Sequence, residues 1–206
     1  MLTVASDFIV FYYLWQDMSE KPKFIKEFLK KKNKVGAVAP SSKFLRKKML
    51  NKIDFSKAKT IVELGPGTGA FTFELLNKLS LEGKLIVFET NESFFDILQS
   101  KINDERLVLL NRSAEDLPVV LQEMNISEVD YVISSLPLAI IPETIKNNIL
   151  KAVTETLSCE GYYIQFQYSL NAKKLLEKNF DDVTLDFTPI NIPPAFVYRC
   201  KKGQSA

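Results

Sequence analysis

Histidine is absent from the 206 residues of this chain, and cysteine occurs only at positions 159 and 200. Without histidine the chain has no Ser-His-Asp or Cys-His catalytic arrangement, no histidine-ligated metal and no histidine general base. Two cysteines do not make a disulfide framework, so a reducing, cytosolic setting is expected. No apolar run reaches the ~20 residues that a membrane-spanning helix needs. We therefore expect chemistry based on carboxylates, hydroxyls, amides, the backbone or an organic cofactor, without a metal.

Basic residues are spread unevenly, although the net charge is only +2. Residues 18–60 hold 14 basic and 3 acidic side chains, whereas residues 61–206 hold 13 basic and 20 acidic ones. A segment of charge +11 ahead of an acidic body attracts polyanions, meaning nucleic acid or an anionic membrane surface. A solvated, lysine-rich helix face is the alternative explanation.

Apolar residues are interleaved with these lysines at helical spacing. After Pro22, four bulky residues fall on one helical face, with lysines on or beside the opposite face; the four are Phe24, Ile25, Phe28 and Leu29. This pattern is typical of an interfacial helix, so we expect the four side chains to insert into a membrane surface. Residues 42–50 repeat the pattern, but a helix that packs its apolar face onto the domain explains that segment equally well.

From residue 60 onward, short apolar runs alternate with segments of helical spacing. The runs predict strands at residues 60–64, 84–88, 106–110, 129–134 and 161–167. Five strand–helix alternations predict an α/β fold with a doubly wound parallel sheet. Two further runs, at 183–187 and 195–200, have no helix between them and predict an antiparallel hairpin that closes one edge. We expect this domain at residues 58–206, after a helical appendage at residues 1–57.

Three of the seven glycines, Gly65, Gly67 and Gly69, lie between the first predicted strand and the following helix. Such a turn lets the backbone approach a ligand closely, while helix N–H groups face it. The run also fits the dinucleotide pattern Gly-x-Gly-x-x-Ala, with Glu89 at the end of the next strand. Glu63, two residues before the first glycine, disfavours a pyrophosphate and can pair with a cationic amino-acid ligand. NAD nevertheless remains an alternative ligand.

The sequence Glu-Leu-Gly-Pro-Gly-Thr-Gly at residues 63–69 resembles the first motif of class I S-adenosylmethionine-dependent methyltransferases. That family has a Rossmann-like, seven-stranded sheet with an antiparallel last strand, in agreement with the predicted hairpin. The resemblance implies S-adenosylmethionine as the cofactor, with the glycine backbone along its methionine part and Glu63 near its amino group. It also implies that Glu89 accepts hydrogen bonds from both ribose hydroxyls.

The ends of the third and fourth strands supply the other cofactor residues that this resemblance implies. Ala114 and Glu115 would flank the adenine together with Ser113, which stands where many relatives have an acidic residue. Glu115 can substitute for that acid. Ser134, at the end of the fourth strand, is the last cofactor-binding residue that we expect.

A narrower resemblance precedes the glycine turn. Val35-Gly-Ala-Val-Ala-Pro-Ser-Ser, followed by Phe44 and Met49, resembles the corresponding segment of bacterial phospholipid N-methyltransferases, which methylate phosphatidylethanolamine or, in near relatives, ornithine lipids. The resemblance implies a lipid amine as substrate, an anionic membrane surface as partner, and a cytoplasmic, peripherally membrane-associated protein. We expect residues 35–42 to cover the cofactor as a lid, with Ser41 or Ser42 near its methionine end or the amine.

The loop after the fourth strand distinguishes between substrates. Ser134-Ser-Leu-Pro-Leu matches the phospholipid enzymes, and we expect Ser135 and Pro137 beside the substrate. Ribosomal RNA adenine dimethyltransferases share the glycine motif, but amino-base methylases carry Asn/Asp-Pro-Pro-Tyr or Asn-Leu-Pro-Tyr here, whose amide and ring bind the flipped base. Both groups are missing from this chain. Methylation of nucleic acid or of a small molecule remains the alternative to lipid methylation.

Methyl transfer to an amine needs the uncharged amine, and a primary amine has a pKa of ~10 by analogy with lysine. Some group must accept the proton, and the sequence leaves several candidates open. They are Tyr168, Tyr198, Glu115 and a water molecule held by Ser134 or Ser135. Packing within the sheet is the alternative explanation for both tyrosines.

Overall fold

The computed structural model describes residues 42–191 and 193–202. Seven strands alternate with helices along this part of the chain. In order, the elements are α1 (Lys43–Leu50), β1 (Thr60–Leu64), α2 (Ala70–Lys78), β2 (Lys84–Phe88), α3 (Glu92–Lys101), β3 (Leu107–Leu110), α4 (Leu117–Glu123), β4 (Val129–Ser134), α5 (Glu143–Thr156), β5 (Leu157–Gln167), α6 (Lys173–Asn179), β6 (Asp182–Thr188) and β7 (Ala195–Lys201). Short 3₁₀ turns precede α4, at Ala114–Asp116, and α6, at Leu170–Ala172.

The strands form one seven-stranded sheet in the order β3-β2-β1-β4-β5-β7-β6. The first five strands of that order are parallel, and β7 pairs antiparallel with both β5 and β6. The predicted doubly wound sheet and the predicted closing hairpin are therefore confirmed. The last strand of the chain lies inside the sheet, because β7 inserts between β5 and the edge strand β6.

Helices cover both faces of the sheet, and each face has its own apolar core. One core includes residues from α4, α5 and α6, among them Leu117, Val120, Leu150, Val153 and Leu176. The opposite core includes residues from α1 and α2, among them Leu45, Met49, Phe71 and Leu75. Because both faces are buried, the central strands are almost continuously apolar, as is usual for parallel sheets.

Helix α1 belongs to the packed domain, although the sequence analysis placed it in the N-terminal appendage. Three of its apolar side chains, Leu45, Met49 and Leu50, are buried. Its carboxyl end is held by Arg199 of β7, which donates to the Lys48 carbonyl and, at 2.7 Å, to Asn51 Oδ1. The packed domain therefore begins before residue 58. Packing on the domain therefore explains Leu45, Met49 and Leu50, whereas Phe44 stays exposed.

The parallel strands bring the predicted site residues to one edge of the sheet. Leu64, Phe88, Leu110 and Ser134 end β1 to β4, and the loops that follow these strands lie at this carboxyl edge. No helix within residues 42–191 and 193–202 is long and apolar enough to cross a membrane. The predicted membrane-inserting residues and the first lid serine lie outside the described residues: Phe24, Ile25, Phe28, Leu29 and Ser41.

Candidate cofactor site

The glycine turn after β1 adopts backbone conformations that other residues rarely take. Gly65, Gly67 and Gly69 have φ values of 70°, 57° and 87°. A Cβ atom at Gly65 would come within 2.8 Å of Leu136 Cδ2, whereas one at Gly67 would meet nothing within 4 Å. Gly65 therefore permits close packing with the loop after β4. Gly67 instead presents bare backbone to open space, which suits the close approach of a ligand.

Glu89 lies beside this turn and is 7% exposed. Its Oε2 accepts a hydrogen bond from the Gly67 N–H at 3.1 Å, and its Oε1 accepts one from the Asn91 N–H at 2.8 Å. Asn111 Nδ2 donates to the Glu89 backbone carbonyl at 2.9 Å. Each carboxylate oxygen keeps a further lone pair. The carboxylate is thus held in position, and each of its oxygens can still accept a hydrogen bond from one hydroxyl of a diol.

Glu63 is the most unusual charged residue at this edge, because its side chain is completely buried. Neither carboxyl oxygen has a hydrogen bond of good geometry to any described residue. Burial raises the pKa of Glu63 to about 8; nearby Thr72 opposes this shift, and the charge of Glu89 adds to it. A buried carboxyl group without a partner is costly unless a ligand or water completes it. A cationic amino group is the complementary ligand.

The turn after β3 brings a second carboxylate to the same edge. Glu115 Oε1 accepts a hydrogen bond from Asn148 Nδ2 of α5 at 2.8 Å, and Oε2 accepts one from the Ser113 hydroxyl at 3.2 Å. Ser113 also caps the 3₁₀ turn by accepting from the Glu115 N–H. Ala114 is 7% exposed. The expectation that this turn flanks an adenine ring remains a prediction.

The loop after β4 is held by two glutamine side chains that sequence analysis did not identify. Gln165 Nε2 and Gln167 Nε2 both donate to the Leu136 carbonyl, at 3.0 and 2.9 Å. Ser134 is fully buried, and its hydroxyl accepts a hydrogen bond from the Leu136 N–H at 3.3 Å. Ser134 therefore braces the loop, and its contact with the cofactor remains a prediction.

The remaining residues of this loop differ in exposure. Ser135 and Pro137 are half-buried, and the Ser135 N–H donates to the Leu64 carbonyl at 2.9 Å. Leu138 is 2% exposed and belongs to the apolar core. The position at which amino-base methylases carry a stacking ring is therefore occupied here by a core residue.

Ser42 connects the start of α1 to the hairpin loop between β6 and β7. Its N–H donates to Asn191 Oδ1 at 3.1 Å, and its hydroxyl caps α1 by accepting from the Leu45 N–H at 3.2 Å. Asn191 is 3% exposed and also donates to the Pro193 carbonyl at 2.7 Å. The Ser42 hydroxyl is therefore used in a helix cap. A lid role for residues 35–42 remains a prediction.

The two tyrosines proposed as proton acceptors are poor bases in this structure. Burial raises the pKa of Tyr198 to about 12, and its side chain is fully buried with the hydroxyl 3.4 Å from the Ser169 carbonyl. Burial also raises the pKa of Tyr168 to about 12, against the opposing effect of Asn191. Both phenols stay neutral at physiological pH. Packing is the better explanation for Tyr198.

These residues fit an S-adenosylmethionine molecule in three respects. The carboxyl oxygens of Glu63 have no hydrogen bond of good geometry to any described residue, the backbone at Gly67 faces open space, and Glu89 holds two oriented acceptor oxygens. Sequence analysis identified all three residues. It did not identify the side-chain amides that support the loops, which are Asn111, Gln165, Gln167 and Asn191.

Comparison with known proteins gives relatives of two kinds. An ornithine lipid N-methyltransferase from Singulisphaera acidiphila is 28% identical over 180 residues, which are 86% of this chain and 94% of that protein. A ribosomal RNA small subunit methyltransferase A from Mycoplasma capricolum is 27% identical over 143 residues, which are 67% of this chain. The chain matches only 51% of that second relative, so it spans about half its length.

The fold is shared with solved methyltransferases. The crystal structure of a precorrin-6y C5,15-methyltransferase from Geobacter metallireducens superposes with a TM-score of 0.59 at 15% identity, over 77% of this chain and 87% of that one. The model of the family described as ribosomal RNA adenine dimethylase matches residues 29–178. S-adenosylmethionine, and not NAD, is therefore the cofactor. The chain belongs to the ribosomal RNA adenine dimethylase family and is a class I S-adenosylmethionine-dependent methyltransferase.

Proposed function

We propose that this methyltransferase acts on the amine head group of a membrane lipid, either phosphatidylethanolamine or an ornithine lipid. The observation that carries the proposal is the loop after β4. Its Ser135-Leu-Pro-Leu sequence has neither the amide nor the ring of an amino-base methylase, and Leu138 is packed in the core. A flipped base would find no stacking partner at that position.

The comparisons support the same substrate class. The relative named as an ornithine lipid N-methyltransferase is matched over 94% of its length, whereas the relative named as a ribosomal RNA methyltransferase is matched over 51%. The basic residues 18–60 suit a protein that works at an anionic surface. Ribosomal RNA adenine methylation remains the second candidate, because the family model carries that description and the glycine turn is common to both groups.

In this proposal the chain binds, orients and shields the reactants. S-adenosylmethionine supplies an electrophilic methyl group on its sulfonium. The backbone at Gly67, the carboxylate of Glu89 and the carboxyl group of Glu63 would hold the cofactor. The loop at Ser135 and Pro137 faces the acceptor amine, and the two glutamines of β5 keep this loop in place. Alignment and exclusion of water account for the rate enhancement.

The deciding experiment offers both acceptors to the same protein. The purified full chain is incubated with S-adenosylmethionine carrying a radiolabelled methyl group and with mixed vesicles of phosphatidylethanolamine, vesicles of ornithine lipid, or small-subunit ribosomal RNA. We expect label in the extracted lipid, no label in RNA, and loss of lipid labelling in Glu89→Ala. Label in adenine of the RNA without label in lipid would establish the second candidate.

A further inference from the structure

Three large apolar side chains are exposed together beside the closing hairpin. Phe44 of α1 is 55% exposed, Phe187 of β6 is 47% exposed, and Ile190 in the hairpin loop is 55% exposed. They line one groove with a volume of about 260 Å³. We call this surface the Phe44 groove. Its apolar walls come from two separate parts of the chain, so it is not the leftover face of a single helix.

The rim of the Phe44 groove is positively charged. Lys47 and Lys48 line it. The nearby carboxylate of Asp186 is neutralised, since Lys48 Nζ lies 3.6 Å from one oxygen and Arg199 Nη1 lies 2.5 Å from the other. Lys47 has no ion-pair partner within residues 42–191 and 193–202. The groove therefore presents apolar side chains next to net positive charge on α1.

The groove lies at the same sheet edge as the cofactor site. Strand β7 runs antiparallel to β5, so the loop between β6 and β7 lies at the end where the parallel strands finish. The hydrogen bond from the Ser42 N–H to Asn191 attaches the start of α1 to that loop. Phe44 and Ile190 are consequently on the side of the molecule that carries the glycine turn and Glu89.

We propose that the Phe44 groove docks on an anionic lipid leaflet, with its apolar side chains inserted and its lysines at the head groups. This inference rests on the proposed lipid substrate, because it brings the cofactor edge to the plane in which lipid amines lie. Apolar side chains beside the lysines of α1 match the two layers of a leaflet interface, with charge outside and hydrocarbon beneath. Single-stranded RNA would use the rings of Phe44 and Phe187 for stacking but would leave the exposed, aliphatic Ile190 without a base partner, whereas a leaflet accepts all three side chains.

A single tryptophan placed in the groove tests this contact directly. Trp15 is the only tryptophan, so the full chain carrying Trp15→Phe serves as the background for Phe44→Trp. The matched control is Leu81→Trp, because Leu81 is 90% exposed and precedes β2 at the opposite edge. Both proteins are mixed with vesicles of phosphatidylglycerol and phosphatidylcholine whose acyl chains are brominated. We expect a blue shift and quenching for Phe44→Trp and neither for Leu81→Trp.

Three outcomes would overturn the inference. The first is an unquenched tryptophan at position 44 in protein that sediments with the vesicles, which would assign membrane contact to another segment. The second is no vesicle binding at all. The third is a fluorescence response at position 44 to single-stranded RNA but not to vesicles, which would identify the groove as an RNA surface. None of these readouts uses methyl transfer, so failure of lipid methylation would refute the proposed function and leave docking to be judged separately.

Charge reversal supplies an independent measurement. Lys43→Glu with Lys47→Glu removes two positive charges from α1, each of which contributes about fivefold to partition onto an anionic leaflet. We expect vesicle partition to fall at least about 25-fold. The control pair, Lys57→Glu with Lys101→Glu, reverses two exposed charges elsewhere and should leave partition nearly unchanged. Equal losses in both pairs would mean that only net charge matters, which would overturn the groove as a specific docking surface.

Discussion

Replacing Glu63 by glutamine should stabilise the ligand-free protein and weaken its binding of cofactor. Burial raises the pKa of this carboxyl group to about 8 from 4.5. Below pH 4.5 it is protonated in both the folded and the unfolded chain, and the stability linked to its protonated form is fully present. As the pH rises toward 8, the unfolded chain releases the proton before the folded chain does. The contribution of the protonated carboxyl group to folding stability is therefore lost progressively.

The expected size of the effect follows from the two pKa values. Each pKa unit corresponds to ~1.4 kcal/mol, and about 3–4 kcal/mol of the difference develops between pH 5 and pH 8. Glutamine has nearly the same shape as the protonated carboxyl group but does not titrate. The free energy of unfolding of Glu63→Gln should therefore match that of the parent within ~1 kcal/mol at pH 5 and exceed it by ~3–4 kcal/mol at pH 8.

Urea unfolding of both proteins at pH 5, 6, 7 and 8, without ligand, measures this difference directly. The exposed Glu105 provides a matched control, since its carboxylate faces water in both states, and Glu105→Gln should follow the parent at every pH. Added S-adenosylhomocysteine should stabilise the parent more than Glu63→Gln, because its ammonium has no carboxylate to pair with in the variant. Parallel stability curves for parent and Glu63→Gln would refute the assignment of a costly buried carboxyl.

Three further substitutions test other parts of the site and fold. Glu89→Ala should weaken binding of S-adenosylhomocysteine by ~1–3 kcal/mol in calorimetry, because ribose hydroxyls lose their acceptors; unchanged affinity would remove Glu89 from the site. Gly67→Ala should lower the free energy of unfolding by only ~1–2 kcal/mol, since φ at this position is positive but no atom lies within 4 Å of the new Cβ. The same substitution should abolish detectable cofactor binding. Normal binding would place the ligand elsewhere. Asp186→Ala should lower the free energy of unfolding by roughly 2–4 kcal/mol, because it removes the ion-pair partner of Arg199, which is only 3% exposed. A denaturant midpoint equal to that of the parent would contradict this.

The strand–helix alternation was predictable because the central strands are buried on both faces and the helices mainly on one. The boundaries were less predictable where tertiary packing overrides local pattern. Strand β5 begins at Leu157, directly after α5, whereas sequence analysis began it at Gly161. The register with β4 shifts between Val129 and Tyr131, and a Cβ at Gly161 would come within 2.9 Å of the Asp130 carbonyl oxygen. Nothing in the local sequence encodes that irregular pairing.

The placement of β7 inside the sheet does not follow from the amino-acid sequence of the hairpin. Two apolar runs joined by a proline-rich turn predict a hairpin, but either strand could have paired with β5. The structure selects β7, whose Tyr198 and Val197 are fully buried, while β6 exposes Leu185 and Phe187. Burial on both faces thus decides which strand is internal.

The site was predictable as far as backbone conformation and charge determine it. Glycines between a strand and a helix and acids at strand ends are visible in sequence, so Gly67 and Glu89 were predicted as cofactor residues. The supporting amides were missed, because a single glutamine or asparagine has no characteristic spacing. Gln165 and Gln167 did leave a signal: two amides in alternate positions of a buried strand require partners, and the Leu136 carbonyl is that shared partner.

In our proposal, cofactor binding and acceptor choice lie on different elements of this fold, and this separation would let one family contain enzymes with different acceptors. The predicted cofactor residues lie near the carboxyl ends of β1, β2 and β3. They include Glu63 within β1, Gly67 in the turn that follows and Glu89 directly after β2. The acceptor loop follows β4, and the Phe44 groove is built from α1, β6 and the hairpin loop. Changes to these latter elements leave the carboxylates and the glycine turn untouched. A substitution in the loop or groove should therefore alter which amine is methylated, or on which surface, without altering affinity for the methyl donor.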